Sequence, residues 1–207
     1  GDSGSGGDVI ITSGGTSGSI INAAGGQVYM SGGTSASQTG GRVFIRSGVS
    51  TSKSSGVIGI MSVNSGTTGV SGYLILSSGS SLNGNSGSMY VGSGSSASGR
   101  GGSVYVTVGS GNSGSGGDIV LLGGASSGDA GGQLYLSGGT SSVHTGGRVL
   151  IQSGYSSSQS SGVIGIQSAI SGANGVSGYL IMSSGSSLNG NSGSMYVGSG
   201  SSASGRG

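Results

Sequence analysis

Pairs of aliphatic residues, separated by one residue, recur along this chain at a fixed distance after a glycine. If that glycine starts a unit, the second and fourth residues after it are aliphatic or Met in every unit, as in Val43 and Ile45. We call these two residues the inner pair. The thirteen units start at Gly7, Gly26, Gly41, Gly56, Gly72, Gly87, Gly102, Gly117, Gly132, Gly147, Gly162, Gly178 and Gly193. Because successive side chains of a strand point to opposite faces, this spacing predicts one short β-strand in each unit.

The residues that follow each strand predict how the strands are connected. A Ser-Gly or Gly-Gly pair is common there, as at Ser47-Gly48, and glycine suits a tight corner. Small residues come next and would allow a narrow coil, and stacked coils would bury a continuous aliphatic core. The sequence therefore predicts an all-β fold, a parallel β-solenoid with about 15 residues per rung and thirteen rungs. An antiparallel meander is the rival fold, less favoured because hairpin loops usually have two to five residues.

A longer repeat of about 106 residues lies over the short one. Gly72–Gly101 returns as Gly178–Gly207 with a single difference. We expect one continuous array over residues 1–207, in which 7–116 and 117–207 are the two copies of the longer repeat. Both ends of the chain fall inside the repeat and neither carries a polar cap, so we expect a fragment of a longer chain that stacks on further repeats.

One interval between units is four residues longer than the usual 15. The extra residues lie somewhere between Thr12 and Ala24. Loops tolerate insertions better than paired strands do, so we expect them to bulge from a corner without breaking the ladder.

The residue between the two members of each inner pair would point away from the core. At eleven of thirteen units it is large and apolar or aromatic, whereas a solvated sheet face should be polar. Contiguous apolar patches usually mark contacts, so this column predicts lateral packing against another copy; the alternative is an exposed ladder of good strand formers. We call it the stripe, and its residues are Ile10, Tyr29, Phe44, Ile75, Tyr90, Tyr105, Val120, Tyr135, Leu150, Ile181 and Tyr196.

The composition narrows the classes of protein to consider. Gly and Ser each supply 54 of the 207 residues, which is typical of flexible linkers, but the regular placement of the aliphatic residues favours an ordered repeat. Six Lys and Arg residues against four Asp are too dilute for a nucleic-acid groove. No apolar run reaches the roughly 18–20 residues that a membrane span requires. We therefore expect neither nucleic acid nor a membrane span among the partners.

Groups that could carry catalysis or bind a metal are few. The one histidine, His144, is replaced by Gln38 in the other copy, which is typical of a solvated loop position. A match to a nucleophile motif at Gly124–Gly128 and one to a dinucleotide loop at Gly109–Gly114 are expected by chance at this glycine content. Four Asp residues do not fit calcium-binding repeats. We expect no enzyme, no cofactor, and no catalytic, cofactor-binding or metal residues.

Units of the form G-G-x-V-x-V-x-S-G, with G-V-S-G and G-N-S-G joints, occur along the whole chain. In this respect the chain resembles Gly/Ser-rich tandem repeats in very large cell-surface proteins of diatoms and related microalgae. That resemblance implies an extracellular or cell-surface location.

The sequence thus predicts a structural repeat segment of an extracellular fibre, filament or adhesive cell-surface protein. Such a segment would associate with further copies through its ladder ends and its stripe, and its exposed serines are candidates for O-linked glycans. A solenoid module that binds ice, a glycan or another surface is the alternative. A carbohydrate-active β-helix enzyme is a third and less favoured class, because it would need longer coils and convergent acidic residues.

Overall fold

The computed structural model describes residues 6–17 and 24–206, and within these ranges it contains neither a helix nor a β-strand. The predicted all-β parallel solenoid with thirteen rungs is therefore wrong, and no meander is present in these ranges either. A ladder of rungs would join backbone groups about one unit apart. The backbone bonds that are found here span three, eight or twelve residues instead. Val28, Val43 and Ile58, the first members of three successive inner pairs, would stack in such a ladder, but they lie in no strand.

The chain divides into two units of structure, Gly1–Val104 and Tyr105–Gly207. The boundary falls inside the seventh sequence repeat, which starts at Gly102, rather than at Gly117, where the second copy of the longer repeat begins. The same local build recurs in both units. No helix in the part of the chain that the structure describes is long and apolar enough to cross a lipid bilayer.

Each repeat consists of an apolar segment followed by a loop, and in seven repeats a backbone hydrogen bond closes the loop on itself. The apolar segment begins at the first glycine of the repeat, ends six residues later and contains no bend; the loop continues to the first glycine of the next repeat. In seven repeats the N–H of that next glycine donates to the carbonyl of the residue that begins the loop, and we call this closure the neck. The neck bonds are Gly26 to Gly14, Gly41 to Gly33, Gly56 to Gly48, Gly102 to Gly94, Gly132 to Gly124, Gly147 to Gly139 and Gly162 to Gly154, at 2.8–3.1 Å.

The tightest necks require glycine because two backbones cross in contact. A Cβ added to Gly138 would lie 2.2 Å from the carbonyl oxygen of Gly147, and Gly32 meets Gly41 in the same way in the other copy. Where serine replaces the first glycine of the Gly-Gly pair, as at Ser47, the two backbone segments of the neck lie further apart. The Gly-Gly pairs that predicted rung corners are therefore the crossing points of closed loops.

The loop tips are held by serine. In each of eight loops a serine Oγ accepts a hydrogen bond from the backbone N–H three residues later, at 2.8–3.0 Å, and the chain bends over these three residues. Such side-chain bonds replace the backbone bond of a turn. The serines are Ser35, Ser50, Ser81, Ser96, Ser126, Ser141, Ser156 and Ser202.

The two repeats of 16 residues close their loop tips differently. Gly66 and Gly172 stand where other repeats have serine. The backbone N–H of Gly69 then donates to the carbonyl of Gly66 at 3.4 Å, and Gly175 donates to Gly172 at 3.2 Å. In the first of these tips the hydroxyl of Ser65 also donates to the carbonyl of Gly69 at 2.9 Å, so a backbone turn and a serine bond act together there.

The predicted aliphatic core is absent, since no hydrophobic side chain among the described residues is buried. The chain exposes 20709 Å², whereas a compact monomer of this mass exposes roughly 8,400 Å². The physical reason lies in the necks. They use the backbone groups at both ends of the loop, and closing eight residues costs less chain entropy than pairing segments 15 residues apart.

The four extra residues of the first repeat were predicted to bulge from a corner. Residues 18–23 lie outside the described part of the chain, so the shape of the insertion is not described. Its neck is retained, because the N–H of Gly26 donates to the carbonyl of Gly14 at 2.8 Å across twelve residues instead of eight. The described residues form no ladder that the insertion could interrupt, so the predicted bulge from a rung is wrong in that respect.

Candidate functional site

The apolar segments are the candidate functional surface, and their stripe is fully accessible in the single chain. Its eleven residues are between 69% and 93% exposed. Tyr196 and Tyr90 are the most exposed members and Val120 is the least. The sequence located these residues on a face available for contacts, and the structure leaves that face uncovered.

The inner pairs were expected to be buried opposite the stripe, and this expectation is wrong. From Val28 onward the first member of each inner pair is 47–59% exposed. The second member is more exposed than the first member of the same pair. The alternation survives in reduced form, because the stripe residue is more exposed than the first member of its pair. Eleven of the thirteen apolar segments therefore offer large apolar side chains from both the stripe and the inner pair.

The loop-tip serines were missed as a functional element, although the sequence contains a signal for them. The sequence signal is that these serines recur at multiples of about 15 residues, as at Ser35 and Ser50. In the structure each one directly precedes the three residues of a bend. Sequence reasoning treated them only as small residues that make room for a neighbouring backbone. Their hydroxyls instead stabilise the loop tips, and serine also closes two necks: Ser13 Oγ donates to the carbonyl of Gly26 at 2.9 Å and Ser93 Oγ to that of Gly102 at 2.8 Å.

The residues considered for chemistry lie scattered in these loops. His144 is exposed, and its backbone N–H donates to Ser141 Oγ as that of Gln38 does to Ser35 Oγ in the other copy. Ser126, the centre of the nucleophile-like match, accepts the N–H of Asp129 and is exposed. The described ranges contain no cavity and no group of three residues able to hold a metal ion.

Charge is distributed very unevenly around the apolar segments. Residues 54–99 and 149–205 contain no Lys, Arg, Asp or Glu. These two stretches include the stripe residues Ile75, Tyr90 and Ile181. Two copies of the chain could therefore bring these stretches together without removing any charged side chain from water.

No protein-family model, no curated protein and no solved structure matches this chain. Its function therefore has to be inferred from the repeat itself. The alternative function as a flat surface that binds ice or a glycan depends on a regular sheet face, and no sheet is present in the described residues.

Proposed function

We propose that this chain is a structural repeat segment of an extracellular fibre, filament or adhesive cell-surface material, and that it acts by self-association rather than by catalysis. The observation that carries the proposal is the regular series of apolar segments, whose large side chains are all accessible. Within a segment the inner pair and the stripe residue are consecutive in sequence, and an exposed apolar patch usually marks a contact with another molecule. The partner that fits best is another copy, because the same segment recurs thirteen times and is complementary in chemistry to itself.

The energetics favour a many-copy material over a single tight complex. Covering one large aliphatic side chain contributes roughly 1.5–3 kcal/mol. A single segment offers only about three such side chains, and the ordering cost of association consumes much of that gain. Thirteen segments on one chain raise the effective concentration of each further contact, so many weak contacts add to a strong association.

The loops supply the other property that such a material needs. They are rich in serine and glycine and lie between the apolar segments, so the association surfaces are separated by hydrated spacers. The resemblance to cell-surface tandem repeats supports the extracellular location. The exposed loop serines, such as Ser52 and Ser157, are proposed acceptors for O-linked glycans.

Sedimentation velocity and electron microscopy of the purified chain test the proposal. In the test variant, the stripe residues Ile75, Leu150 and Ile181 are replaced by Ser. In the control, Leu82, Val143 and Leu188 are replaced by Ser, since these apolar loop residues are at least 80% exposed and lie outside the apolar segments.

We expect the parent chain to form large assemblies above a threshold concentration. The stripe variant should raise that threshold by at least about tenfold, which corresponds to only 1.4 kcal/mol. The control should assemble as the parent does. A parent chain that stays monomeric, or a control that loses assembly as fully as the stripe variant, would refute the proposed function.

A further inference from the structure

Every tyrosine of the chain is exposed to solvent. The eight side chains are between 82% and 93% exposed: Tyr29, Tyr73, Tyr90, Tyr105, Tyr135, Tyr155, Tyr179 and Tyr196. Tyrosine usually covers at least part of its ring when a protein has a core. Here all the phenol rings can be reached by a second chain or by an oxidant.

The tyrosines are concentrated in the apolar segments. Seven of them stand one or three residues after the first glycine of a repeat, and only Tyr155 lies in a loop. Three pairs of these seven are separated by the 106-residue repeat: Tyr29 with Tyr135, Tyr73 with Tyr179, and Tyr90 with Tyr196. Seven of the thirteen apolar segments therefore carry a tyrosine, and an association of two such segments from different copies brings their tyrosines close to one another.

The surroundings of the tyrosines favour close approach. Five of the eight lie in the stretches 54–99 and 149–205, which carry no charged side chain. Tyr73 and Tyr179 directly follow a glycine, which does not shield the ring, and each stripe tyrosine lies between the two members of its inner pair. The chain contains no cysteine, so no disulfide can join its copies covalently.

We propose that the seven tyrosines of the apolar segments are sites of oxidative phenol coupling, by which assembled copies are joined covalently through dityrosine. This proposal rests on the self-association proposed above. The co-reactant is hydrogen peroxide, used by a haem peroxidase. The reaction is a modification of this chain and requires no catalytic group within it.

The chemistry balances as follows. Each of two phenols gives up one electron and the proton of its hydroxyl group and becomes a phenoxyl radical. The two radicals form a carbon–carbon bond between ring positions adjacent to the oxygens, and the hydrogen on each joined carbon then moves to its oxygen. Peroxide accepts the two electrons and two protons, its O–O bond breaks, and two water molecules form.

The test treats the chain with peroxide and a haem peroxidase, both below and above its threshold for assembly. Dityrosine is measured by its fluorescence, and the joined peptides are identified by mass spectrometry after proteolysis. We expect at least about tenfold more dityrosine per tyrosine in the assembled chain, because assembly raises the effective concentration of one phenol near another. The joined copies should remain together in denaturant.

Two variants locate the reaction. In the first, seven tyrosines are replaced by Phe, at Tyr29, Tyr73, Tyr90, Tyr105, Tyr135, Tyr179 and Tyr196. In the matched control, Tyr155→Phe removes only the loop tyrosine. Phe keeps the ring and lacks the hydroxyl, and Phe44 already occupies a stripe position. At equal assembled mass, the first variant should lose most of the dityrosine and the control should keep most of it.

The outcomes separate the two proposals. A chain that does not assemble refutes the proposed function. A chain that assembles but yields no more dityrosine than the dispersed chain refutes the tyrosine proposal alone. Joined peptides that contain Tyr155 as often as each other tyrosine also refute it, because all eight rings are similarly exposed and such an even distribution would show that coupling depends on exposure rather than on the apolar segments. Oxidation of methionine adds oxygen without joining chains and is distinguished by mass.

Discussion

Gly138→Ala tests the neck directly, because the added methyl group has no room. The new Cβ would lie 2.2 Å from the carbonyl oxygen of Gly147 and 2.7 Å from its carbonyl carbon. Ordinary contacts of carbon atoms begin near 3.5 Å, so the backbone segments around Gly138 and Gly147 must separate by more than about 1 Å. The obstacle is backbone, so rotation of a side chain cannot relieve the clash. Gly139→Ala is a matched control in the same neck, because its Cβ would meet nothing within 4 Å.

The expected magnitude follows from the bond that the separation breaks. The N–H of Gly147 donates to the carbonyl of Gly139 at 2.8 Å. A net hydrogen bond of this kind contributes roughly 0.5–1.5 kcal/mol, so losing it should lower the ratio of closed to open neck by about two- to twelvefold. The change is local, since no core depends on the neck.

Amide hydrogen exchange measured by NMR reports on this equilibrium. In Gly138→Ala the Gly147 amide should exchange faster by the same factor, while the Gly162 amide of the following neck serves as an internal reference. Gly139→Ala should leave the Gly147 amide near its original rate. Unchanged exchange in Gly138→Ala, or equal acceleration in both variants, would show that the crossing at Gly138 does not set the neck.

Two further predictions concern the loops. Ser141→Ala removes the acceptor of the 2.9 Å bond from the His144 amide, so that amide should exchange hydrogen about two- to twelvefold faster. Ser142→Ala in the same loop should leave the exchange rate unchanged. Equal rates in the two variants would contradict the role of the Ser141 hydroxyl in holding the loop tip. Gly117→Ala places a Cβ 2.5 Å from Val108 Cγ1, and the Val108 side chain should change rotamer while the backbone stays in place. Three-bond couplings to the Val108 methyl groups measure this, and unaltered couplings would contradict it.

The glycines of the sequence repeat coincide with local features of the structure in seven units, although the rungs predicted from them are wrong. The glycines taken as origins and corners, such as Gly147 and Gly154, are where loops end and begin. The inner pair and the stripe keep their alternation in exposure. These features depend on residues close together in sequence, and a periodic pattern reports local structure directly.

The absence of a ladder could not be predicted from the sequence, because a ladder depends on which partner each backbone N–H and C=O group bonds to. The Gly162 N–H can bond across the loop or to a neighbouring repeat, and the spacing of residues is the same in both cases. In the structure it bonds to Gly154, eight residues before it. Pairing between repeats would bury only about two inner aliphatic residues per unit. The many glycines lose much conformational entropy when the chain is ordered, which opposes that gain. The loop-tip role of serines such as Ser156 was missed for a related reason, since a hydroxyl acceptor is recognised by geometry rather than by composition.

The necks also determine how the chain would respond to a pulling force. Six of the seven necks bridge eight residues, and one bridges twelve, with one exposed hydrogen bond each, so tension along the chain would break that bond before it strained any covalent backbone. Opening one neck would release roughly 25 Å of slack, since an extended residue spans at most about 3.3–3.6 Å. Because each neck closes within its own repeat, the slack would be released stepwise and recovered when the load falls. The seven necks would thus make the chain reversibly extensible, with energy dissipated at each opening.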